Sequence, residues 1–253
     1  MQIDYSWKFG DTVICAGCHA EVACPNCSKP AALLVAPEPA EAETEPEPKT
    51  TKLPILSILI CSLKARAEML AALLRDLNAM RGCLDDPGAV EILCKVDNKE
   101  VSVGAKRNKL MARASGEYLC FIDDDDRVTS DYFSAIFAAL KTKPDVVGIC
   151  GIVTWEYRRP MIFRHDLQYR QERNLPNILE RLPHHLCPTR SEIAKRFPFG
   201  NINLGEDSGR AHGMMHARAL HSCVMIERPI YLYDYRKAVT ETQEGRAGQP
   251  PRK

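Results

Sequence analysis

The chain has 253 residues, 45% of them hydrophobic and 26% charged, and a formal net charge of +1. No apolar run approaches the ~20 residues of a membrane-spanning helix, and the charge balance falls short of the strong basic bias of a dedicated nucleic-acid binder. The opening MQIDYSWKFGDTV has neither the basic n-region nor the apolar h-region of a signal peptide, so a soluble, cytoplasmic protein is expected. Eleven cysteines then belong to a reducing compartment, and the odd count argues against a complete disulfide framework.

Four of these cysteines cluster in CAGCHAEVACPNC. Cys15 and Cys18, then Cys24 and Cys27, form two CxxC pairs, and each pair can set two thiolates on one ion. Tetrahedral Zn²⁺ with four sulfur ligands is the natural occupant, with His19 able to replace one cysteine. The competing readings are a metal-free Cys-rich leader and a thioredoxin-like redox motif, the latter lacking a surrounding strand-helix-strand unit. Residues 1–35 are therefore expected to be a small zinc-ribbon-like hairpin module. Residues 36–52, APEPAEAETEPEPKTTK, alternate Pro, Glu and Ala with no large apolar side chain and read as an extended linker. Residues 1–50 hold 3 basic and 8 acidic side chains; residues 51–253 hold 31 basic and 25 acidic, a net charge of +6 that suits a phosphate-bearing ligand.

From residue 53 to about 240 strands and helices alternate, and residues 241–253 read as a disordered tail. Leu56 to Cys61 is a β-branched apolar strand, followed by ARAEMLAALLRDLNAM with Met69, Leu70, Leu73, Leu74 and Leu77 at helical spacing. Val90 to Val96 is a second strand ending at Asp97, Gly104 to Ala114 a helix, and Glu117 to Ile122 a third strand. TSDYFSAIFAALKTK then opens with capping residues and continues as an amphipathic helix before the strand Val146 to Trp155. Such alternation predicts an α/β fold with a mostly parallel central sheet, whose ligands bind beyond the carboxyl ends of the strands.

At one such end stands FIDDDDRV, with four consecutive carboxylates from Asp123 to Asp126. One or two aspartates after a strand read as a solvated turn. Four raise each other's pKa unless a positive partner neutralises them, which points to a cation.

The order LSILICSLKARAEMLAALLRDL, EILCKVDN, GAKRNKLMARASGEYLCFIDDDDRV and FGNINLGEDSGRAHGM resembles a family-2 glycosyltransferase of the GT-A nucleotide-diphospho-sugar transferase fold, over residues 54 to 235. The resemblance implies a nucleotide-sugar donor, most simply a UDP-sugar, with Asp97 holding uracil and Ser62 and Arg66 lining the first loop, where CSLKAR stands in place of the usual Pro-Thr-Tyr-Asn-Arg. A DXD-type motif would bind Mn²⁺ or Mg²⁺, both of which prefer oxygen ligands. Asp125 is the first choice of ligand; Asp123 or Asp124 would join it or contact the ribose, and Asp126 caps the turn. Lys106 and Arg107 open a helix whose positive end favours phosphate, or form an exposed basic face, and Asn108 contacts the nucleotide or the neighbouring loop. In LGEDSGRAHG, Asp207 is implied as the general base and Glu206 as an acceptor contact, with single displacement and inversion; a plain helix cap is the simpler account of the same pair. His184 and His185, read as a short strand, face the same cleft; either completes the metal set, His185 first, or contacts the acceptor, and His212 and His216 compete for the role. The acceptor hydroxyl belongs to a polysaccharide, a protein or a hydroxymethylated DNA base, with no membrane partner. The alternative function is a nucleic-acid-binding or protein-docking adaptor that works through the zinc module, beside a non-catalytic sugar-nucleotide domain.

Overall fold

The computed structural model describes residues 52–236 and the backbone of two short strands before them, β1 (Trp7–Phe9) and β2 (Thr12–Ile14). These two pair antiparallel, with Trp7 opposite Ile14. Cys15, Cys18, Cys24 and Cys27, the linker up to residue 51 and residues 241–253 lie outside the described residues. Contacts divide the chain into Met1–Thr50 and Thr51–Lys253, and the description below concerns the second unit.

Its first half is built as the hydrophobic periodicity predicts. β3 (Leu56–Leu63) is flanked by β4 (Val90–Asp97) and β5 (Tyr118–Phe121), all parallel. Successive β3 side chains point to opposite faces. Leu56, Ile58 and Ile60 meet Leu70, Leu73 and Leu77 of α1 (Ala67–Gly82) and Tyr132, Phe133 and Ile136 of α3 (Tyr132–Leu140). Leu59 instead joins Leu110 and Met111 of α2 (Val103–Arg113) and Phe121. A strand buried on both faces reads as a continuous apolar run, which is why LSILI carries no polar alternation beyond Ser57. Gly104 in α2 lies so close to the carbonyl of Gly200 that a Cβ would stand 1.8 Å from its oxygen, so only glycine fits there.

The second half departs from the mostly parallel expectation. After β6 (Arg127–Val128) and α3, β7 (Val146–Trp155) turns back directly into β8 (Arg158–His165), an antiparallel hairpin in place of a crossover helix. β9 (Arg173–Asn174), β10 (Ile178–Arg181) and the two-residue β11 (Thr189–Arg190) follow, then α4 (Ser191–Ala194), α5 (Glu206–His216) and β12 (Cys223–Tyr235). The sheet order is β4-β3-β5-β11-β7-β8-β10-β9, with β12 parallel to β7 and antiparallel to β6. β11 inserts antiparallel between β5 and β7, so the sheet is mixed. The ladder of β12 on β7 shifts register on either side of Pro229, a residue with no N–H to donate. No described helix is long and apolar enough to cross a membrane.

Candidate active site

The carboxyl ends of β3 and β5 open onto a cleft of about 730 Å³, lined by Ser62, Arg66, Lys106, Arg107, Asp123 to Asp126, His184, His185, Glu206 and Asp207. The aspartates follow β5 and the fully buried Ile122, and the Asp126 N–H donates to the Asp123 carbonyl at 3.1 Å. Each carboxylate meets a different environment. Asp123 accepts from Arg107 Nη2 at 3.0 Å and faces His185 Nε2 at 3.4 Å. Asp124 accepts from Ser62 Oγ at 2.6 Å and from Arg66 Nη1 at 2.7 Å. Asp125 has Arg66 Nη1 at 3.5 Å; burial and then the charge of Asp123 push its carboxyl up to about 6. Asp126 accepts from the Tyr231 hydroxyl at 2.6 Å, and burial beside Asp123 and Asp125 raises it well above the usual range. Guanidiniums on Asp123 and Asp124, and burial that favours the neutral forms of Asp125 and Asp126, are what make four adjacent aspartates tolerable.

Arg107, buried to 4% exposure, ties this turn to α5. Its Nε donates to Glu206 Oε1 at 3.1 Å, and its guanidinium lies 4.9 Å from the centre of the Phe121 ring. Nη1 is buried with no hydrogen-bond partner among the described residues. Lys106 donates to Asp97 Oδ1 at 2.6 Å and to the Ser62 carbonyl at 3.1 Å. Asp97 is not among the residues lining the cleft, although its Oδ2 is buried without a partner among the described residues.

Two expectations for α2 are corrected. The helix opens at Val103, one turn before Lys106 and Arg107, because the Ser102 hydroxyl caps it by accepting from Ala105 N at 3.1 Å. The other early amides are also engaged, Val103 N with Asn203 Oδ1 at 3.0 Å, Gly104 N with the Ile202 carbonyl at 3.1 Å and Lys106 N with the Ser102 carbonyl at 3.0 Å. That helix end therefore offers no free N–H group to a phosphate. Asn108 spends both ends of its amide on the Phe199 backbone, at 2.9 and 2.8 Å, and does not line the cleft.

On the other side α5 begins after Gly205, whose φ of 77° is a left-handed conformation that glycine adopts without strain. Glu206 is buried against Arg107, while Asp207 projects to a pair of histidines. Its Oδ2 lies 3.5 Å from His184 Nδ1 and 3.4 Å from His185 Nδ1. His184 Nε2 is 2.5 Å from Glu172 Oε1, and its ring meets His165 edge-on at 4.8 Å. Burial opposes charge on His184, but Asp207 and Glu172 outweigh it and push the imidazole up to about 9. Burial likewise pushes the Asp207 carboxyl up, and the two imidazoles reverse this, holding it well below the carboxylate range. The histidines sit in a turn rather than the expected strand. His212 and His216 are exposed on α5 and do not line the cleft.

Sequence reading missed Glu172 and Tyr231. Neither sits in a recognisable pattern, and each reaches its partner only through the fold, Tyr231 across 105 positions to Asp126. As for ligands, the aspartate turn offers oxygen donors, whereas His184, His185 and Asp207 bring two nitrogens and an oxygen within 4.8 Å of one another.

The family model described as glycosyl transferase family 2 matches residues 57–197, more than half of the chain. No curated protein sequence matches. Among solved structures, S. aureus TarS 1–349 superposes with a TM-score of 0.50 at 15% identity, over 71% of this chain and 60% of that one. S. aureus TarS gives 0.50 at 14% identity, over 71% of this chain and 36% of that one. TarS 1–349 in complex with UDP-GlcNAc gives 0.49 at 14% identity, over 72% and 59%. The chain thus spans about 60% of the length of TarS 1–349, and at such identities the likeness is one of fold. The matched segment runs from β3 through the aspartate turn to the histidine pair and beyond α4, and the chain belongs to glycosyl transferase family 2.

Proposed function

We propose that the protein transfers a sugar from a nucleotide-diphospho-sugar, a UDP-sugar foremost, to an acceptor hydroxyl with inversion at the anomeric carbon. The observation that carries this reading is that the aspartate turn and Asp207 line one cleft with the His185 ring between them. Family membership supports the donor class.

Asp125 and Asp123 would hold Mn²⁺ or Mg²⁺. The donors are hard oxygens, and the raised Asp125 carboxyl is a buried acid short of positive charge, so the residues fit the ion. Bound there, the ion would neutralise charge on the departing nucleoside diphosphate. Ser62 and Arg66 hold Asp124 in place, and the free Nη1 of Arg107 is a donor for the ligand. Asp97, fixed by Lys106 and outside the cleft lining, would receive the nucleotide base through Oδ2, which is unpaired among the described residues. Asp207 would take the acceptor's proton, on the face opposite the leaving group, in the ionised form that its two histidines favour. Glu206, held by Arg107, would orient the acceptor, which could be a polysaccharide, a protein or a hydroxymethylated DNA base. The four cysteines at 15, 18, 24 and 27 would carry a structural Zn²⁺ in a separate module, checked by metal analysis under reducing conditions.

The test is a donor screen by released nucleotide, with Mn²⁺ and a panel of hydroxyl acceptors. Acceptor-dependent release of UDP is expected. Donors that bind by calorimetry yet never turn over would overturn the enzyme reading in favour of an adaptor.

A further inference from the structure

We propose that His184, His185 and Asp207 form a site for a zinc-class transition-metal ion, distinct from the oxygen-ligand site on the aspartate turn, and that filling it switches transfer off. The regulatory half rests on the reading of Asp207 as the base.

Three observations carry the site. The first is distance. The Nδ1 atoms of His184 and His185 lie 3.5 and 3.4 Å from the same Asp207 oxygen. A good N–H···O bond is ~2.7–3.2 Å long, so both contacts are slack as hydrogen bonds. Tetrahedral zinc, with bonds of ~2.0–2.1 Å to nitrogen and oxygen, separates its ligand atoms by ~3.3–3.4 Å. Both separations from Asp207 thus match the metal better than the proton, and all three ligand atoms lie within 4.8 Å of one another.

The second observation is what stands behind the rings. His184 turns Nε2 to Glu172 Oε1 at 2.5 Å, and His185 turns Nε2 to Asp123 Oδ2 at 3.4 Å. A carboxylate on the outer nitrogen keeps the proton there and aims the lone pair of the inner nitrogen, which is how metal-binding histidines are held. His184 has such a partner at hydrogen-bond distance, and the Asp123 carboxylate faces the His185 ring across a longer contact. The third is that His185 Nδ1 is buried with no hydrogen-bond partner among the described residues, on a ring only 9% exposed. An unused nitrogen aimed at a carboxylate costs free energy unless something sits between them.

Two imidazoles and one carboxylate favour zinc, cobalt or copper over magnesium. Three protein ligands leave a fourth position, and all three side chains line the cleft, so that position faces the ligand space. An Asp207 lone pair committed to a metal can no longer accept the acceptor's proton. His185 is then allotted to this site, and the aspartate turn keeps an all-oxygen set.

The experiment uses the full-length chain with Cys15, Cys18, Cys24 and Cys27 replaced by serine, so that those thiolates do not report. Co²⁺ is the optical probe. One equivalent should give the visible d–d absorption of a tetrahedral nitrogen/oxygen site, displaced by Zn²⁺ and not by the same concentration of Mg²⁺. His184→Ala and His185→Ala should each weaken binding at least ~10-fold, and Glu172→Gln, which spares the ligands, by ~10–100-fold. Asp125→Ala should retain the spectrum. Zn²⁺ should halt Mg²⁺-supported transfer over the range in which it displaces Co²⁺. A weak octahedral spectrum, or affinity unchanged in the histidine variants, would overturn the site; should those variants not fold, unchanged affinity in Glu172→Gln decides the same way. Zinc that fills the site without slowing transfer would overturn the switch. An enzyme inert towards every donor without zinc sinks the transferase reading instead, and leaves the cobalt result to stand by itself.

Discussion

The two walls of the cleft neutralise their carboxylates in different ways. On the aspartate turn Asp123 and Asp124 are held by Arg107 and Arg66, charges that no ordinary pH removes. Across the His185 ring, Asp207 is held by two imidazoles, whose charge depends on a bound proton. Permanent charge fixes a scaffold, whereas imidazole leaves a carboxylate available for chemistry. Under the proposed function the aspartate wall would hold a donor and the histidine wall would move a proton.

The sharpest way to break that division is Asp207→Asn. It removes the proposed base and leaves the aspartate turn untouched. Transfer is expected to fall ~10²–10⁴-fold, with donor affinity by calorimetry unchanged. Wild-type transfer, or a product with retained anomeric configuration by NMR, would sink the base role.

Next in size is Arg107→Met, which strips the permanent charge from between the walls. Arg107 and Glu206 have side chains only 5% and 6% exposed, so their separation leaves a buried carboxylate without compensation. The expected loss is ~3–5 kcal/mol of unfolding free energy, measured by urea denaturation. Arg107→Lys should recover only part of it, because a single ammonium cannot serve Asp123 and Glu206 with a fork. A loss below ~1 kcal/mol would mean that the pair behaves like a surface bridge.

Asp125→Ala is a test of the donor wall alone. Mn²⁺-dependent UDP affinity should drop at least ~10-fold, since an ion on phosphate oxygens is worth several kcal/mol. Unchanged affinity removes Asp125 from the cation site.

The first half of the fold and the carboxylate clusters were legible because both are local patterns. LSILI and the Leu70, Leu73, Leu77 stripe each report their own burial, and four adjacent aspartates announce a site without any tertiary knowledge. The mixed half was not legible. β11 is two residues long, and its place between β5 and β7 is set by partners more than 30 positions away. The same limit applies to side chains. That the α2 amides are already spent on Asn203 and Ile202, or that Glu172 backs His184, depends on loops folding over the sheet. Sequence named the groups and the fold assigned their partners.

The smallest expected effect on donor binding belongs to Asp126, the aspartate of the turn that faces the Tyr231 hydroxyl. Asp126 is 4% exposed, accepts from Tyr231, and has its other oxygen buried without a partner among the described residues. With its carboxyl raised well above the ordinary 3.8, the folded protein holds that proton to higher pH than the unfolded chain does. The sign follows from that difference. The contribution of Asp126 to stability is complete below pH 3.8 and declines as pH rises towards the folded value, because the unfolded state alone gains from ionising. Asp126→Asn keeps the shape and an acceptor for Tyr231 but cannot ionise. At pH 3 the two proteins should differ by no more than the ~0.5–1.5 kcal/mol of one hydrogen bond. As pH rises from 4 to 7 the variant should become progressively the more stable in urea titrations, with donor affinity unchanged throughout. Parallel stability profiles for the two proteins would mean that Asp126 is ionised in the fold, and that the aspartate turn carries one more negative charge than its environment implies.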